Sequence, residues 1–159
     1  MSEITIRSHF DANDLAKIVE RHRIIYQEEY GYNSEFGDYV ESFLKGKIEC
    51  IWIAEVDNTF AGCISVVRID DRTAQLRKFL VEPKMRGRGI GKKLIRSLIE
   101  YCKEKKYEQI FLWTVDELLA ARKLYEEFGF TLTESKPKRL LWGKSITEQR
   151  WDLSLGENR

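Results

Sequence analysis

The sequence predicts an α/β fold of the α+β type, in which a mixed β-sheet carries helices on both faces. Strand-like and helix-like segments follow one another in the order β-αα-βββ-α-β-α-ββ. Residues 109–115, QIFLWTV, are nearly all apolar, as expected for a strand that is covered on both faces. Residues 90–102 place apolar side chains on one helical face and charged side chains on the other, which is typical of a helix packed against a sheet.

One strand and two helices are predicted at the N-terminal end. Residues Ile4–Arg7 alternate as a short strand, and Asp11 or Asn13 can cap the helix that follows. A second, shorter helix is predicted over Ser34–Leu44. Helical spacing in the first helix is kept by Leu15, Ile18, Val19, His22, Ile25 and Tyr26.

Three strands are predicted next, before the central helix. ECIWIAEV and FAGCISVVRI flank the turn at Asp57 and Asn58, and residues 75–81 form the third strand. The apolar face of the central helix consists of Ile90, Leu94, Ile95, Leu98, Ile99 and Cys102.

A further helix, two strands and their boundaries are predicted at the C-terminal end. After QIFLWTV, a cap at Thr114 or Asp116 starts the helix that contains Tyr125, and Gly129 ends it as a left-handed cap. The closing strands are TLTESK and EQRWDLSL. Between them the short basic run SKPKR is expected to form a solvated loop.

Length and composition predict a single domain over residues 1–159. A chain of 159 residues buries about 70% of its unfolded surface as one domain. The 27 basic and 26 acidic residues leave a net charge of +1, so we expect no global attraction to nucleic acid or to an anionic membrane. Three cysteines without CxxC spacing favour reduced thiols over a disulfide framework or a zinc site. With no apolar signal region at the N-terminus, we expect a soluble cytoplasmic protein.

The segment LRKFLVEPKMRGRGIGKKL runs from a strand through a glycine-rich turn into a basic helix. Free N–H groups at the start of a helix carry partial positive charge and bind anions. Gly87, Gly89 and Gly91 remove side chains that would block such an anion, while Arg88, Lys92 and Lys93 add positive charge. The turn therefore predicts a phosphate-binding site.

Two common phosphate-binding patterns do not fit this turn. A Walker loop would need glycine at Arg86 and a hydroxyl residue at Lys93. A dinucleotide fingerprint fails at Lys92 when it is counted from Gly87, and at Leu94 when it is counted from Gly89. What remains is the pattern R-x-x-G-x-G after a strand.

That pattern, together with AxxxYEEFGF over residues 121–130, resembles the GNAT N-acetyltransferase superfamily. The resemblance covers nearly the whole chain. It implies a mostly antiparallel sheet of six to seven strands and acetyl-CoA as co-substrate, with no metal. More narrowly, HRIIYQEEYGY, FLVEPKMRGRGIG, LWT and TEQRWDLSL are similar to the acetyltransferase half of bacterial proteins that fuse this fold to a MarR-type regulator.

The resemblance also implies where acetyl-CoA binds. Pantetheine would pair like an extra strand with the main chain of the strand before the turn, and the pyrophosphate would lie on the amides of residues 87–92. Arg86 would brace the turn, with Arg88 and Lys92 nearest the anion. The cofactor-binding residues implied in this way are Phe79, Leu80, Val81, Arg86, Gly87, Arg88, Gly89, Ile90, Gly91 and Lys92.

Tyr125 is the predicted catalytic acid, at the position of the family's catalytic tyrosine. A phenol with a pKa of about 10 stays protonated at neutral pH and can donate to a leaving thiolate. Many relatives place an asparagine seven residues earlier to bond the cofactor, whereas this chain has Leu118. A core tyrosine that only packs is the alternative interpretation.

The sequence indicates the catalytic base and the residues that contact the acceptor less specifically than it indicates the catalytic acid. Glu29 continues the stripe of the first helix and is the candidate base. His22 is interpreted as a core histidine, because no metal-ligand spacing surrounds it. Arg77 and Lys78 either meet an acidic substrate or pair with a carboxylate, and pairing with glutamate is the commoner outcome.

Two functions remain open at this point. The first is acetyl transfer from acetyl-CoA to a primary amine of a small molecule or peptide by direct attack in a ternary complex, since neither motif contains a cysteine. The second is a non-catalytic module that senses acyl-CoA. A homodimer is compatible with both, and the acceptor amine cannot be identified from residues 22–45.

Overall fold

The computed structural model describes residues 3–156, which form one seven-stranded sheet, one two-stranded sheet and four α-helices. In chain order the elements are β1 (Ile4–Arg7), α1 (Ala12–Tyr30), α2 (Ser34–Leu44), β2 (Cys50–Val56), β3 (Thr59–Arg68), β4 (Thr73–Val81), α3 (Ile90–Glu104), β5 (Gln109–Val115), α4 (Leu119–Glu127), β6 (Thr131–Ser135), β7 (Arg139–Leu141), β8 (Lys144–Ile146) and β9 (Glu148–Ser154). A single 3-10 turn, Pro83–Met85, links β4 to the glycine turn.

The strand order of the large sheet is β1-β2-β3-β4-β5-β9-β6. All neighbours are antiparallel except β4 and β5, which run parallel. This arrangement confirms the predicted fold class, a mixed and mostly antiparallel sheet. The prediction of one domain over residues 1–159 extends beyond the described residues at both ends and stays a prediction.

The sheet opens between β4 and β5. These strands pair only at Thr73, Ala74 and Gln75, opposite residues 109–111. Beyond Gln75, the edge of β4 that faces β5 has no strand beside it. The opening leaves a cleft in the middle of the sheet, with α3 and α4 on one side and α1 and α2 on the other.

Helices cover both faces of the sheet, as predicted, and each face has its own core. The first core packs the apolar face of α3 and Tyr125 of α4 against the sheet, and the second packs α1 and α2 against the opposite face. Each fully buried aliphatic side chain contributes about 1.5–3 kcal/mol to the free energy of folding. The apolar faces of the helices therefore hold them against the sheet. Within residues 3–156, none of the helices has the length and apolar character needed to span a bilayer.

The helix boundaries confirm some predicted caps and correct others. Asp11 caps α1 in a capping box with Asp14, and Gly129 follows α4 with φ 94°. The predicted caps of α4 are wrong, because Thr114 lies within β5 and the Asp116 carboxylate accepts a hydrogen bond from the Thr147 N–H at 3.1 Å. The α4 helix begins after Leu118 without a side-chain cap.

A hairpin that the sequence did not predict lies between β6 and β9. Strands β7 and β8 pair antiparallel, and the turn residues Trp142 and Gly143 have φ 53° and 83°. Two positive φ angles are typical of a type I′ turn. The Asn33 N–H donates to the Trp142 carbonyl at 3.0 Å, so the hairpin tip is fastened to the start of α2.

Candidate active site

Two cavities meet in the cleft between β4 and β5. The first, of about 320 Å³, lies between the end of β4, the glycine turn, the start of α3 and α4, and is called the glycine-turn cavity. The second, of about 400 Å³, lies between β4, β5, α1, α2 and the β7–β8 hairpin, and is called the aromatic cavity. Tyr26, Phe79 and Leu118 line both cavities. Ligands in the two cavities would therefore meet at these three residues.

The wall of the glycine-turn cavity at the start of α3 is built from backbone. Gly89 precedes the helix with φ 79° and offers no side-chain cap, so the first N–H groups of α3 have no helical partner. Gly87 has φ 81°, and a Cβ built on Gly87 or Gly89 would meet open space. Glycine is favoured at both positions by the left-handed backbone. The result is an uncovered, partly positive helix end that faces the cavity.

Gly91 lines the glycine-turn cavity and also has a packing role that was not predicted. A Cβ at this position would lie 3.0 Å from Cδ1 of Leu124 and 3.2 Å from Cζ of Phe79. Gly91 is buried, and it lets α3 pack closely against α4 and β4. The absence of a side chain at Gly91 therefore serves helix packing, and its role in the approach of an anion stays a prediction.

The second wall of the glycine-turn cavity is the free edge of β4. Opposite Ile64 of β3, strand β4 has two residues, Lys78 and Phe79, so the strand carries a β-bulge. Lys78 has φ 49°, and the Ser65 hydroxyl donates to the carbonyl of Arg77 at 2.8 Å. The bulge breaks the side-chain alternation of the strand and places Phe79 between the two cavities.

The charged groups predicted at the turn are engaged with carboxylates. Both guanidinium nitrogens Nη1 and Nη2 of Arg86 donate to Glu29, at 2.8 and 2.7 Å, and Nε donates to the carbonyl of Val81 at 3.3 Å. Lys92 pairs with Glu127 at 3.0 Å. Because Arg86 occupies both oxygens of Glu29, this arrangement favours a positioning role for Glu29 over the predicted role as base.

Arg88 is the predicted cofactor residue that does not line the cavity. Phe79, Leu80, Val81 and the other predicted residues of the turn all contribute to its wall. The Arg88 side chain is exposed instead. Its charge can act on an anion at the turn only from the solvent side.

Aromatic rings form the outer part of the aromatic cavity. The Tyr26 and Phe36 rings stack at a centroid distance of 4.5 Å, and the ring of Trp142 lies 4.8 Å from Phe36 and 5.1 Å from Tyr32. His22 lies beneath them, 2% exposed, with Nδ1 2.8 Å from the carbonyl oxygen of Ile18. Burial lowers the pKa of His22 to about 4. The prediction of a core histidine is confirmed.

Tyr125 lies at the inner end of the aromatic cavity. The side chain is 4% exposed, and its ring is 6.2 Å from Phe79 and 5.8 Å from Phe130. Burial raises the pKa of the Tyr125 hydroxyl, because the phenolate would lose its hydration. The hydroxyl is therefore protonated at neutral pH, as a proton donor must be.

Arg77 and Lys78 contact aromatic residues of α2 instead of a glutamate, so the predicted pairing is wrong. Nη2 of Arg77 donates to the Tyr39 hydroxyl at 2.7 Å, and the guanidinium lies 4.2 Å from the centre of the Phe43 ring. Nζ of Lys78 lies 3.8 Å from the centre of the Tyr39 ring. Burial lowers the pKa of Lys78 to about 6.

Comparison with known proteins decides the family. The sequence model of the acetyltransferase (GNAT) family matches residues 16–130, which include both walls of the glycine-turn cavity and Tyr125. The chain belongs to this family. The GNAT match ends before the β7–β8 hairpin, so the hairpin that carries Trp142 lies outside the matched region.

One curated relative and two solved structures illustrate this GNAT membership. The chain is 30% identical over 120 residues to the human (Homo sapiens) N-acetylaspartate synthetase, covering 75% of this chain and 40% of the relative. The Escherichia coli ribosomal-protein-S18-alanine N-acetyltransferase has a TM-score of 0.78 at 18% identity, covering 99% of this chain and 97% of the other. An Elizabethkingia anophelis GNAT acetyltransferase with acetyl-CoA bound has a TM-score of 0.70 at 19% identity, covering 96% and 98%. The two structures support the fold alone.

The part of this chain that aligns with its curated relatives spans 35–46% of the length of those relatives. Their names describe whole proteins, of which the matched region is less than half. What those proteins act on is therefore relevant to this chain only as a proposal.

Tyr26 is the site residue that sequence reasoning missed. Its position in the apolar stripe of α1 predicted a core residue, and the side chain is partly buried against the second core. The same ring also forms part of the boundary between the two cavities. Periodicity identifies the buried face of a helix, but it does not show that a cleft opens beneath that face.

Proposed function

We propose that the protein is an acetyl-CoA-dependent N-acetyltransferase that transfers an acetyl group to a primary amine of a small molecule or peptide by direct attack in a ternary complex. The observation that carries this proposal is the meeting of two cavities at Tyr26, Phe79 and Leu118. Tyr125, a buried phenol, lies beside that boundary. Donor and acceptor would each have a cavity, and a proton donor would lie next to the point where they meet.

The residues of the glycine-turn cavity fit acetyl-CoA. The unpartnered N–H groups at the start of α3 suit a pyrophosphate. The edge of β4 at Phe79, Leu80 and Val81 has no neighbouring strand, so its main-chain groups can pair with the amides of pantetheine. Many relatives have an asparagine at the position of Leu118 that hydrogen-bonds the cofactor. Because Leu118 cannot make this hydrogen bond, the backbone groups would hold the cofactor.

Tyr125 supplies the acid in the proposed reaction. The amine nitrogen forms a bond to the thioester carbonyl carbon, and the bond from that carbon to sulfur breaks. Tyr125 donates its proton to the leaving sulfur, and the proton that the amine loses restores the phenol. The overall products are the N-acetyl amine and free coenzyme A, so atoms and charge balance.

The cysteines support direct attack over an acetyl-cysteine intermediate. Cys63 and Cys102 are buried, and burial raises the pKa of Cys102 to about 12. In the part of the chain that the structure describes, neither cavity is lined by a cysteine. A neutral thiol that lines neither cavity is a poor acyl carrier.

The test is to incubate the protein with acetyl-CoA and a panel of amino acids, polyamines, aminoglycosides and peptides. We expect release of coenzyme A in equal amount to an N-acetyl product identified by mass spectrometry. In the absence of acceptor, we expect no acetylated protein. A stable acetyl-enzyme that transfers its acetyl group to a later-added amine would contradict direct attack.

A sensor of acyl-CoA is the second candidate, and Leu118 favours it because a contact common among relatives is missing. A relationship to the acetyltransferase half of the MarR-type fusions would also favour it, and that closer relationship stays a prediction. Tight binding of acetyl-CoA without acetylation of any amine would support the sensor over the enzyme. The cytoplasmic location and the homodimer stay predictions as well.

A further inference from the structure

The charges that line the aromatic cavity are not balanced. Arg77 and Lys136 both line this cavity, and both have aromatic neighbours. Arg77 contacts Tyr39 and Phe43, and Nζ of Lys136 lies 4.4 Å from the centre of the Trp113 ring. Among residues 3–156, no carboxylate is within ion-pair distance of Arg77 or Lys136.

The carboxylates near the aromatic cavity are already paired. Glu148 lines the cavity, but its Oε1 accepts from Arg139 at 2.8–2.9 Å. Glu117 accepts from Lys144 at 2.8 Å and from the Tyr32 hydroxyl at 3.1 Å. The acids of this region are thus neutralised by other cations. Arg77, which is half-buried, and Lys136, which is exposed, therefore leave unpaired positive charge at the wall of the cavity.

The walls between these cations are apolar. Phe36, Tyr39, Trp113 and Trp142 present rings to the cavity. A volume of about 400 Å³ can hold a small molecule of several carbon atoms. The low polarity of the rings strengthens any ion pair formed beside them, since less water is present to screen it.

We propose that the acceptor is a primary amine that also carries a carboxylate, as an amino acid does, and that Arg77 and Lys136 bind this carboxylate. The inference rests on the proposed acetyltransferase function. A guanidinium matches a carboxylate with two parallel hydrogen bonds, and an ammonium adds a point charge. The amine would then lie toward Tyr125 and the boundary with the glycine-turn cavity, with the apolar part of the acceptor against the rings.

The name of one relative agrees with an acceptor that carries a carboxylate. The human relative that is 30% identical to this chain is named for the synthesis of N-acetylaspartate, the acetylated form of an amino acid. That name describes the relative. For this chain the support comes from two unpaired cations in one cavity.

The test compares acceptors that differ only in charge. The first set is L-phenylalanine, L-phenylalaninamide and phenethylamine, which share the amine and the ring but not the carboxylate. The second set is β-alanine, ethanolamine and O-phosphoethanolamine, which separates carboxylate from phosphate. We expect kcat/KM to be at least about 10-fold higher for each carboxylate than for its neutral partner, because a hydrogen bond to a charged group contributes about 1.5–3 kcal/mol.

The variants Arg77→Gln and Lys136→Gln remove the charge, and Arg72→Gln is the matched control. Arg72 lies just before β4, is exposed, and pairs with Glu108 at 3.3 Å away from both cavities. We expect Arg77→Gln to raise KM about 10-fold for the carboxylate acceptors and to leave KM for phenethylamine and for acetyl-CoA unchanged. Arg77→Lys should restore part of the loss, and Arg72→Gln should have no effect.

Three outcomes would overturn the proposal. Equal kcat/KM for acid, amide and amine would show that charge is not recognised, and preference for O-phosphoethanolamine would assign the cations to phosphate. An equal rise of KM for phenylalanine and phenethylamine in Arg77→Gln would reveal structural damage to the cavity without recognition of the carboxylate. A failure to acetylate any amine would instead overturn the proposed function, so the two failures are distinguishable.

Discussion

The two cavities of the cleft are built in different ways. The glycine-turn cavity presents main-chain groups of β4 and of the start of α3, and its glycines matter because they lack side chains. The aromatic cavity presents side chains from α1, α2, β4, β5 and the β7–β8 hairpin. Main-chain groups are the same in every chain, whereas each side chain can be changed by one substitution. The first cavity therefore suits a ligand shared by a whole family, and the second suits an acceptor particular to one protein.

The largest effect is expected from Gly89→Asp, which places a carboxylate at the start of α3. Two like charges about 4 Å apart at a protein surface repel by about 4 kcal/mol, which is about 10³-fold in Kd. Calorimetric titration with acetyl-CoA should show this loss, while circular dichroism of the variant matches that of the wild type.

Gly89→Asn is the control for that variant. Asparagine has nearly the shape of aspartate and tolerates the φ of 79° comparably, but it carries no charge. We expect it to bind acetyl-CoA much more tightly than Gly89→Asp. Wild-type affinity in Gly89→Asp would place the pyrophosphate elsewhere.

Tyr125→Phe tests the boundary between the cavities. The substitution keeps the buried ring against Phe79 and Phe130 and removes the hydroxyl. Turnover should fall by about 10²-fold or more, with acetyl-CoA affinity nearly unchanged, because a general acid contributes only to the chemical step. Single-turnover rates on an acceptor that the wild type acetylates provide the measurement. An undiminished chemical rate would make Tyr125 a packing residue.

His22→Gln tests a stability effect that belongs to the aromatic cavity alone. The pKa of His22 is about 4 in the folded protein and 6.5 in the unfolded chain, so between these values the unfolded state binds more protons. Stability contributed by neutral His22 is present above pH 6.5 and is lost as the pH falls toward 4. Between pH 7 and pH 4.5 the wild type should lose about 2.5 kcal/mol more than His22→Gln.

Urea denaturation of both proteins at the two pH values measures that difference. Carboxylates titrate equally in the two proteins. The difference between the two losses of unfolding free energy therefore reports the contribution of His22. Parallel losses in wild type and variant would mean that His22 is accessible to protons without unfolding.

The smallest effect is expected from Glu29→Gln at the mouth of the glycine-turn cavity. The pair with Arg86 is 30% and 43% exposed, and such ion pairs contribute about 0–1 kcal/mol. Acetyl-CoA affinity should fall by at most about 5-fold, with kcat nearly constant. Steady-state kinetics distinguish this from the predicted role as base, for which kcat would fall by about 10²-fold.

The contrast between the cavities also explains what could be predicted from the sequence. The glycine turn was recognisable because positive φ angles and an uncovered helix start demand particular residues at fixed spacing. The second helix, α2, was likewise predicted with the bounds that the structure shows. The turn of β7–β8 was missed because Trp142 is an unusual residue for a positive φ, and its strands have only three residues each.

The contacts of side chains far apart in sequence could not be predicted. Nothing near Arg77 in the sequence indicates that Tyr39 of α2 accepts its hydrogen bond, and Glu29 meets Arg86 across 57 positions. The β-bulge at Lys78 depends on the pairing of β4 with β3, so the residue pattern of β4 alone does not reveal it. These contacts follow from tertiary packing.

The β7–β8 hairpin has a consequence for how new substrate preferences could arise in this scaffold. It closes on itself through a two-residue turn, contributes Trp142 to the aromatic cavity, and lies beyond residues 16–130, which the GNAT family model matches. Insertions, deletions or exchange of this segment would reshape the entrance for acceptors while the α3 start and β4 edge stay intact. Evolution, or a protein engineer grafting hairpins from related chains, could thus vary the acceptor without rebuilding the machinery for the acetyl donor.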